Sequence, residues 1–395
     1  MSDLLTRAHA FEPDLIALRR DLHRHPELSF QEHRTAEEAA RRVEALGYAV
    51  RRGVGRTGVV AEIGNGSGPT VALRADMDAL PIHEANEVDY RSTVPGVMHA
   101  CGHDAHVTML VGAARLLAEA RDRGELPEGR VRLLFQPSEE TTDAENKSGA
   151  VRMIEDGAMQ GVDAVFGLHV GAHLPSRKLF VRSGPIMAGT DSFAATVRGV
   201  CAHAARPNEG VDAVVLASHV VLACQNVVSR RIAPTASGVI SIGRIQGGVA
   251  ENVLAEEVTL SGTIRYFDAE VQAVLHRELE RALDVARALG GDVELKLRPG
   301  YPPVVNDGAM AELMASAAGD VLGAEHVEDL EPWMGGEDFA YLLAEAPGAF
   351  AWIGAAPEDP REHHHPRFDI DESVLVRGAS TLAACALRAL RELAS

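Results

Sequence analysis

One cysteine, a scatter of histidines and several carboxylates stand where strands are expected to end. They are Asp76-Met-Asp78, Cys101-Gly-His-Asp-Ala-His106, the adjacent Glu139-Glu140, His169 and the run His363-His-His365. A thiolate, neutral imidazoles and carboxylates together suit a borderline transition metal such as zinc, manganese, cobalt or nickel. Taken singly, each group reads more simply. A lone histidine is usually structural, paired glutamates usually form a solvated face, and a single cysteine is usually a small core residue. Together they describe a metal centre, and two neighbouring glutamates can divide the work there. One binds a cation while the other accepts a proton from activated water.

Such groups meet only if strands carry them to a common edge. In open parallel sheets, ligands bind outside the carboxyl ends of the strands. Short β-branched runs at residues 59–63 and 70–74, and buried runs at 131–135 and 164–168, place the polar clusters just beyond their ends. Thr35-Ala-Glu-Glu38 suggests a capping box for a helix ending at Gly47. Asp104 is expected to cap a helix carrying Val107, Leu110, Val111, Ala114 and Leu117 on one face, and another helix is expected over 149–156. Gly64-Asn-Gly-Ser-Gly68 lacks the spacing of a nucleotide cradle and reads as a hairpin turn. No GxSxG elbow occurs. Trp333 and Trp352 read as core or pocket-wall residues.

From about Met187 the pattern changes to half-exposed strands at 193–198, 238–246 and 258–266, with long helices over 211–229 and 269–289. The 395 residues exceed one core's usual size. The fold class expected is therefore α/β. A catalytic domain (1–186 and 298–395) has a mostly parallel sheet flanked by helices, and residues 187–297 form an inserted α+β lid or dimerisation domain. A final helix starts near Ser373.

The formal charge of -19 argues against nucleic acid or an anionic membrane as partner. Any anionic substrate must then be held by a few local arginines. The first 25 residues interleave acids and arginines, so no secretory signal and no membrane span are expected. The four cysteines, Cys101, Cys201, Cys224 and Cys385, are too scattered for a disulfide framework, and a cytoplasmic location follows.

Leu73-Arg-Ala-Asp-Met-Asp-Ala-Leu-Pro81, His99-Ala-Cys-Gly-His-Asp-Ala-His106, Phe135-Gln-Pro-Ser-Glu-Glu140 and Gly167-Leu-His169 resemble the hippurate hydrolase branch of the aminoacylase and carboxypeptidase-type metallohydrolases. Gly335-Gly-Glu-Asp-Phe339 and His364-His-Pro-Arg-Phe368 continue the likeness, which spans nearly the whole chain. Plant auxin-conjugate hydrolases and bacterial N-acyl amino acid deacylases belong to this branch. The resemblance implies two divalent ions (Zn, Mn, Co or Ni) held by Cys101, His103, Glu140, His169 and His364, with Cys101 bridging. It implies Glu139 as general base and Asp78 as a carboxylate orienting a ligand. His364 is favoured over His363 and His365 because it stands two before Pro366.

The same resemblance makes His203, in Cys201-Ala-His-Ala-Ala205, a group that polarises the scissile carbonyl, often from a partner subunit. Asn252 and Arg265 fall at positions holding the substrate's carboxylate side. The activity implied is hydrolysis of the linear amide of small N-acyl amino acids by a homodimer or dimer of dimers. The rivals are a metallo-dipeptidase or carboxypeptidase, a thiol hydrolase using Cys101 with His103, and an inactive metal-binding or ligand-sensing protein. Two features depart from the family pattern: Gly199-Val-Cys-Ala before His203, and a longer, less glycine-rich segment at 141–148.

Overall fold

The computed structural model describes residues 3–64 and 66–394. The chain forms two compact units. The first comprises Met1–Ile186, Val305–Glu331 and Asp338–Ser395; the second comprises Met187–Val304 and Pro332–Glu337.

The first unit is built on an eight-stranded sheet in the order Ala49–Val54, Gly58–Gly64, Arg130–Gln136, Thr70–Asp76, Ala164–Gly171, Gly348–Gly354, Leu179–Phe180 and Val327–Glu328. The central strands Arg130–Gln136, Thr70–Asp76, Ala164–Gly171 and Gly348–Gly354 run parallel to one another. Thr70–Asp76, Ala164–Gly171 and Gly348–Gly354 are buried along their whole length, which is why they read as continuous apolar runs. Helices His103–Asp122 and Val374–Leu393 cover the sheet and pack on each other. Small residues let them pass closely. A Cβ on Gly378 would lie 2.0 Å from the Met109 sulfur, and one on Gly112 would lie 2.7 Å from Ala379 Cβ.

Three local expectations are corrected. The segment 64–68 is not a hairpin turn, because Arg130–Gln136 lies between the strands that it joins. The hairpin is instead Ala49–Val54 with Gly58–Gly64, while Asn65 falls outside the described residues. The helix expected from Thr35 begins earlier, at His33, and Thr35 does not cap it. Glu27 does, accepting from the Arg34 and Thr35 amides and from the Thr35 hydroxyl. Asp104 sits inside the first turn of its helix rather than at its cap, which is Gly102.

The second unit is a four-stranded antiparallel sheet in the order Asp292–Pro299, Gly189–Arg198, Glu257–Tyr266 and Gly238–Gly247. Residue 298, where the sequence suggested a return to the first domain, is part of this sheet. Gly189–Arg198 buries alternate residues, as a strand with one covered face must. Helices Ala213–Arg231 and Ala269–Leu283 supply Leu216, Val220, Leu275 and Leu279 to the core over Val197 and Leu260. Asp212 and Asp268 cap them by accepting from Val214 and Val271 amides, respectively. The long helix expected over 269–289 breaks at Asp284. By length and composition alone Ala213–Arg231 could cross a membrane, with mean hydropathy 1.4; its apolar side packs in this core.

Candidate metal centre

The ends of three parallel strands and one helix start bring the first unit's candidates together. Asp76 ends its strand, and Asp78 follows two residues later. Ser138, in the left-handed region at φ 46°, turns the chain beyond Arg130–Gln136 and presents Glu139 and Glu140. Asp78 organises this turn, accepting from the Glu139 amide (3.0 Å), the Glu140 amide (3.1 Å) and the Ser29 hydroxyl (2.6 Å). Its Oδ1 also lies 3.3 Å from His103 Nδ1. One carboxylate thus aims an imidazole and both glutamates, as ligands need outer partners to hold them. Gly102 is required between Cys101 and His103, because its φ is +90° and a Cβ would lie 2.3 Å from Val170 Cγ2.

Two groups of donor atoms share Cys101. In one, Cys101, His103 and Glu140 present atoms within 4.8 Å of one another; in the other, Cys101, His169 and His363 do. Cys101 Sγ is 3.5 Å from His169 Nε2 and 3.7 Å from His363 Nδ1. His169 Nδ1 donates to the Val170 carbonyl (2.8 Å), which leaves Nε2 unprotonated and turned to the thiol. His364, at φ 65°, places Nε2 3.3 Å from Glu140 Oε1. His106 is engaged elsewhere. Its Nε2 accepts from the Val170 amide, so its protonated Nδ1 donates to Asp76. Asp76 is further held by Arg74 (2.8 Å), which bridges to the buried Asp338 (2.9 Å). Trp352, the core residue expected, lies with its ring centroid 4.5 Å from that of His169; Trp333 is partly exposed.

The electrostatics fit a cation. Burial opposes charge on His103, yet Asp76, Asp78 and Glu140 outweigh it and raise its pKa to about 10. A proton there does part of what a metal would do. Burial, with Glu140, Glu139 and Asp76, pushes the Cys101 thiol well above its ordinary range, so a thiolate forms only beside a cation. Burial and neighbouring imidazoles hold His169 well down, and push His363 down to about 3. Neutral imidazole is the metal-binding form. Glu140 Oε1 and both His103 nitrogens are buried without a well-formed hydrogen bond. A donor set of one thiol, several imidazoles and a carboxylate suits divalent cations.

Sequence reasoning gave no role to several residues behind the site. Glu32, fully buried, accepts from the Ser138 amide (2.9 Å) and the Thr57 hydroxyl. Burial and then Asp78 raise its pKa to about 7. Nothing local marks such a glutamate. Arg19 and His23, on the helix face that also carries Leu15, Leu18 and Leu22, were given no role either.

In the second unit, His203 is exposed, with Nδ1 accepting from the Ala205 amide (3.0 Å). Its backbone bridges Val253, and the Ala204 amide donates to the carbonyl of the exposed Asn252 (3.0 Å). His203 and Asn252 therefore sit side by side. Arg265 is half-buried and donates to the carbonyls of Met334 (3.2 Å) and Ile264 (3.1 Å). Burial lowers its pKa. Asp191 acts on it in the opposite sense, and among the described residues no carboxylate oxygen lies within 4.0 Å of the guanidinium.

The family pattern described as Peptidase family M20/M25/M40 matches residues 72–388, which include every candidate in both units. The chain belongs to this family. Over 381 residues it is 40% identical to N-acetyl-L-cysteine deacetylase of Bacillus subtilis, covering 96% of this chain and 89% of that one. It is 38% identical to IAA-amino acid hydrolase ILR1-like 4 of Arabidopsis thaliana, covering 98% and 88%. Among solved structures, Bacillus subtilis YXEP, described as a dinuclear metal-binding peptidase of the M20 family, superposes with a TM-score of 0.83 at 35% identity, covering 97% and 99%. This M20 chain is a hydrolase acting on amides.

Proposed function

We propose that the chain hydrolyses the amide bond of small N-acyl amino acids, of N-acetyl or N-benzoyl type, to a carboxylic acid and a free amino acid. The observation that carries this reading is the pair of glutamates on Asp78. Glu140 joins the donor group of Cys101 and His103, whereas Glu139 lies outside both groups that share the thiol. Cys101, His103, Glu140, His169 and His364 would hold two divalent ions, Cys101 being the donor common to both groups. Zinc, manganese, cobalt and nickel all suit these ligands. The grouping of His363 with Cys101 and His169 favours a second reading of the triplet, in which His363 holds the second ion. Loss of one ion in His363→Ala but not in His364→Ala selects it.

Such ions, when bound, would supply Lewis acidity, lowering the pKa of the attacking water toward neutrality and polarising the amide carbonyl. Glu139 takes the proton from the attacking water and delivers it to the leaving nitrogen. Asp78 keeps Glu139 and His103 aimed throughout. His203 donates to the oxygen on which charge develops, and Asn252 and Arg265 hold the substrate carboxylate. Burial of Cys101 among carboxylates disfavours the thiol-hydrolase alternative, since the thiol is not a nucleophile there. The protein works as a cytoplasmic homodimer or dimer of dimers.

Metal-reconstituted enzyme incubated with a panel of N-acetyl amino acids, N-benzoyl amino acids and dipeptides tests the proposal. Free amino acid from the acylated compounds supports it. Release from the dipeptides alone assigns a metallo-dipeptidase or carboxypeptidase. Release from none leaves a metal-binding or ligand-sensing protein.

A further inference from the structure

The helix Glu12–Arg24 plays no part in the proposed chemistry, yet it buries two basic side chains one turn apart, Arg19 and His23, both at 0% exposure. Both converge on one oxygen of Asp104: Arg19 Nε donates to Oδ2 at 2.9 Å, and His23 Nδ1 lies 2.8 Å from it. Asp104 follows His103 in the first turn of its helix. The other nitrogens of Arg19 cross to a different segment, donating to Asp369 (2.9 Å) and Glu372 (3.3 Å). That segment begins five residues beyond His364. One guanidinium therefore ties the loop of Cys101 and His103 to the segment that follows the histidine triplet.

The tie is reinforced on both sides. The His364 amide donates to the Ala100 carbonyl (2.8 Å), so the two segments touch directly at the site. His23 Nε2 reaches Glu84 (3.3 Å), whose neighbour Ala85 donates its amide to the Pro366 carbonyl (2.8 Å). Tyr90 donates to Asp369 (2.6 Å). A buried ion-pair network is a poor way to gain stability, because desolvation offsets most of the attraction. What a planar three-way fork supplies is geometry.

We infer that Arg19 is a positioning residue that sets the spacing between the Cys101–His103 loop and the histidine triplet, and thereby the affinity of the shared-thiolate centre for its second ion. The inference rests on the metal-centre reading proposed above. Lysine keeps the charge but reaches only one acceptor, and methionine keeps neither the charge nor the fork.

The test titrates metal-free wild type, Arg19→Lys, Arg19→Met and Asp369→Asn with zinc against a chromogenic chelator. Thermal unfolding is followed with and without zinc, and kcat and KM on the substrate that wild type cleaves. Replacing an outer partner of a metal ligand typically costs about 10–100-fold in metal affinity. A fall of that size for the second ion is expected in Arg19→Lys, larger in Arg19→Met and smaller in Asp369→Asn. The gap between zinc-loaded and zinc-free melting temperatures should shrink, and kcat should fall more than KM rises. If Arg19→Lys and Asp369→Asn bind both ions as wild type does, the inference is overturned. So it is if loaded and metal-free melting temperatures fall equally, as a merely structural role predicts. Should the Arg19 variants fail to fold, the milder Asp369→Asn decides by the same readouts. A wild-type chain that takes up no second ion overturns the metal-centre reading itself, a distinguishable result.

Discussion

The residues proposed for chemistry are held in two different ways. In the first unit they are buried and over-determined: His103 and Asp78 are at 0% and 1% exposure, and Asp78 alone fixes two amides, a hydroxyl and an imidazole. In the second unit His203 and Asn252 are exposed, and Arg265 is held by hydrogen bonds to two carbonyls. Rigid strand ends suit ligands that must be correct to a fraction of an ångström before an ion arrives. Groups that meet a mobile substrate, or a second subunit, have no need of such a scaffold. The contrast predicts that substitutions in the first set change metal content or the chemical step, while those in the second change substrate handling and depend on assembly.

The largest effect belongs to the buried base. Glu139→Gln keeps the shape and the backbone N–H hydrogen bond to Asp78 but cannot accept a proton, so kcat should fall by about 10²–10⁴-fold. Steady-state kinetics on the acylated amino acid that wild type cleaves best measure this.

Next comes the exposed histidine, where removing one oxyanion donor costs about 10²–10³-fold. If His203 serves the partner's site, exchanging subunits of inactive Glu139→Gln and His203→Ala should restore activity, since one site in each mixed dimer has both residues intact. No recovery after demonstrated exchange would place His203 in cis or outside catalysis, and would blunt the contrast between the units.

A chemical probe sharpens the comparison further. Metal-bound Cys101 should resist iodoacetamide in the loaded protein and react after chelation, while exposed Cys201 reacts in both states. Mapping the alkylated cysteines by peptide mass reads this directly. Equal labelling of Cys101 with and without chelator would remove the thiolate from the centre.

The smallest effect concerns Glu32. Its native pKa of about 7 lies above its ordinary 4.5, so the folded chain binds this proton more tightly than the unfolded chain. The stability it contributes is present below about pH 4.5 and is lost as pH rises through about 7. Metal-free Glu32→Gln should therefore gain on wild type between pH 5 and pH 8, by on the order of a few °C in melting temperature. A difference that stays flat with pH would contradict the raised pKa.

Much of this was legible because the informative groups are local. Apolar runs marked the central strands, and clusters just past their ends marked Asp78, Glu139 and Glu140; Cys101 and His103 stand instead at the start of a helix, and His169 lies inside its strand, which runs on to Gly171. Long-range pairing was not legible. The glycine-rich 64–68 segment looks like a hairpin because nothing nearby announces that Arg130–Gln136 inserts between its flanking strands. Thr35 fits a capping pattern that Glu27 pre-empts from eight residues away. Within the histidine triplet, spacing to Pro366 favours His364, whereas which ring meets Cys101 depends on a left-handed turn at His364. Arg19 and Glu32 act on residues 85 and 106 positions away, which no local pattern encodes.

The division of labour between the two glutamates is the centre of the account, and metal content tests it most directly. Glu139→Gln, reconstituted with zinc, freed of excess by gel filtration and analysed by plasma emission, should carry two ions per chain, as wild type should, while turning over no substrate. A variant that retains a single ion would make Glu139 a ligand and reverse its role with that of Glu140.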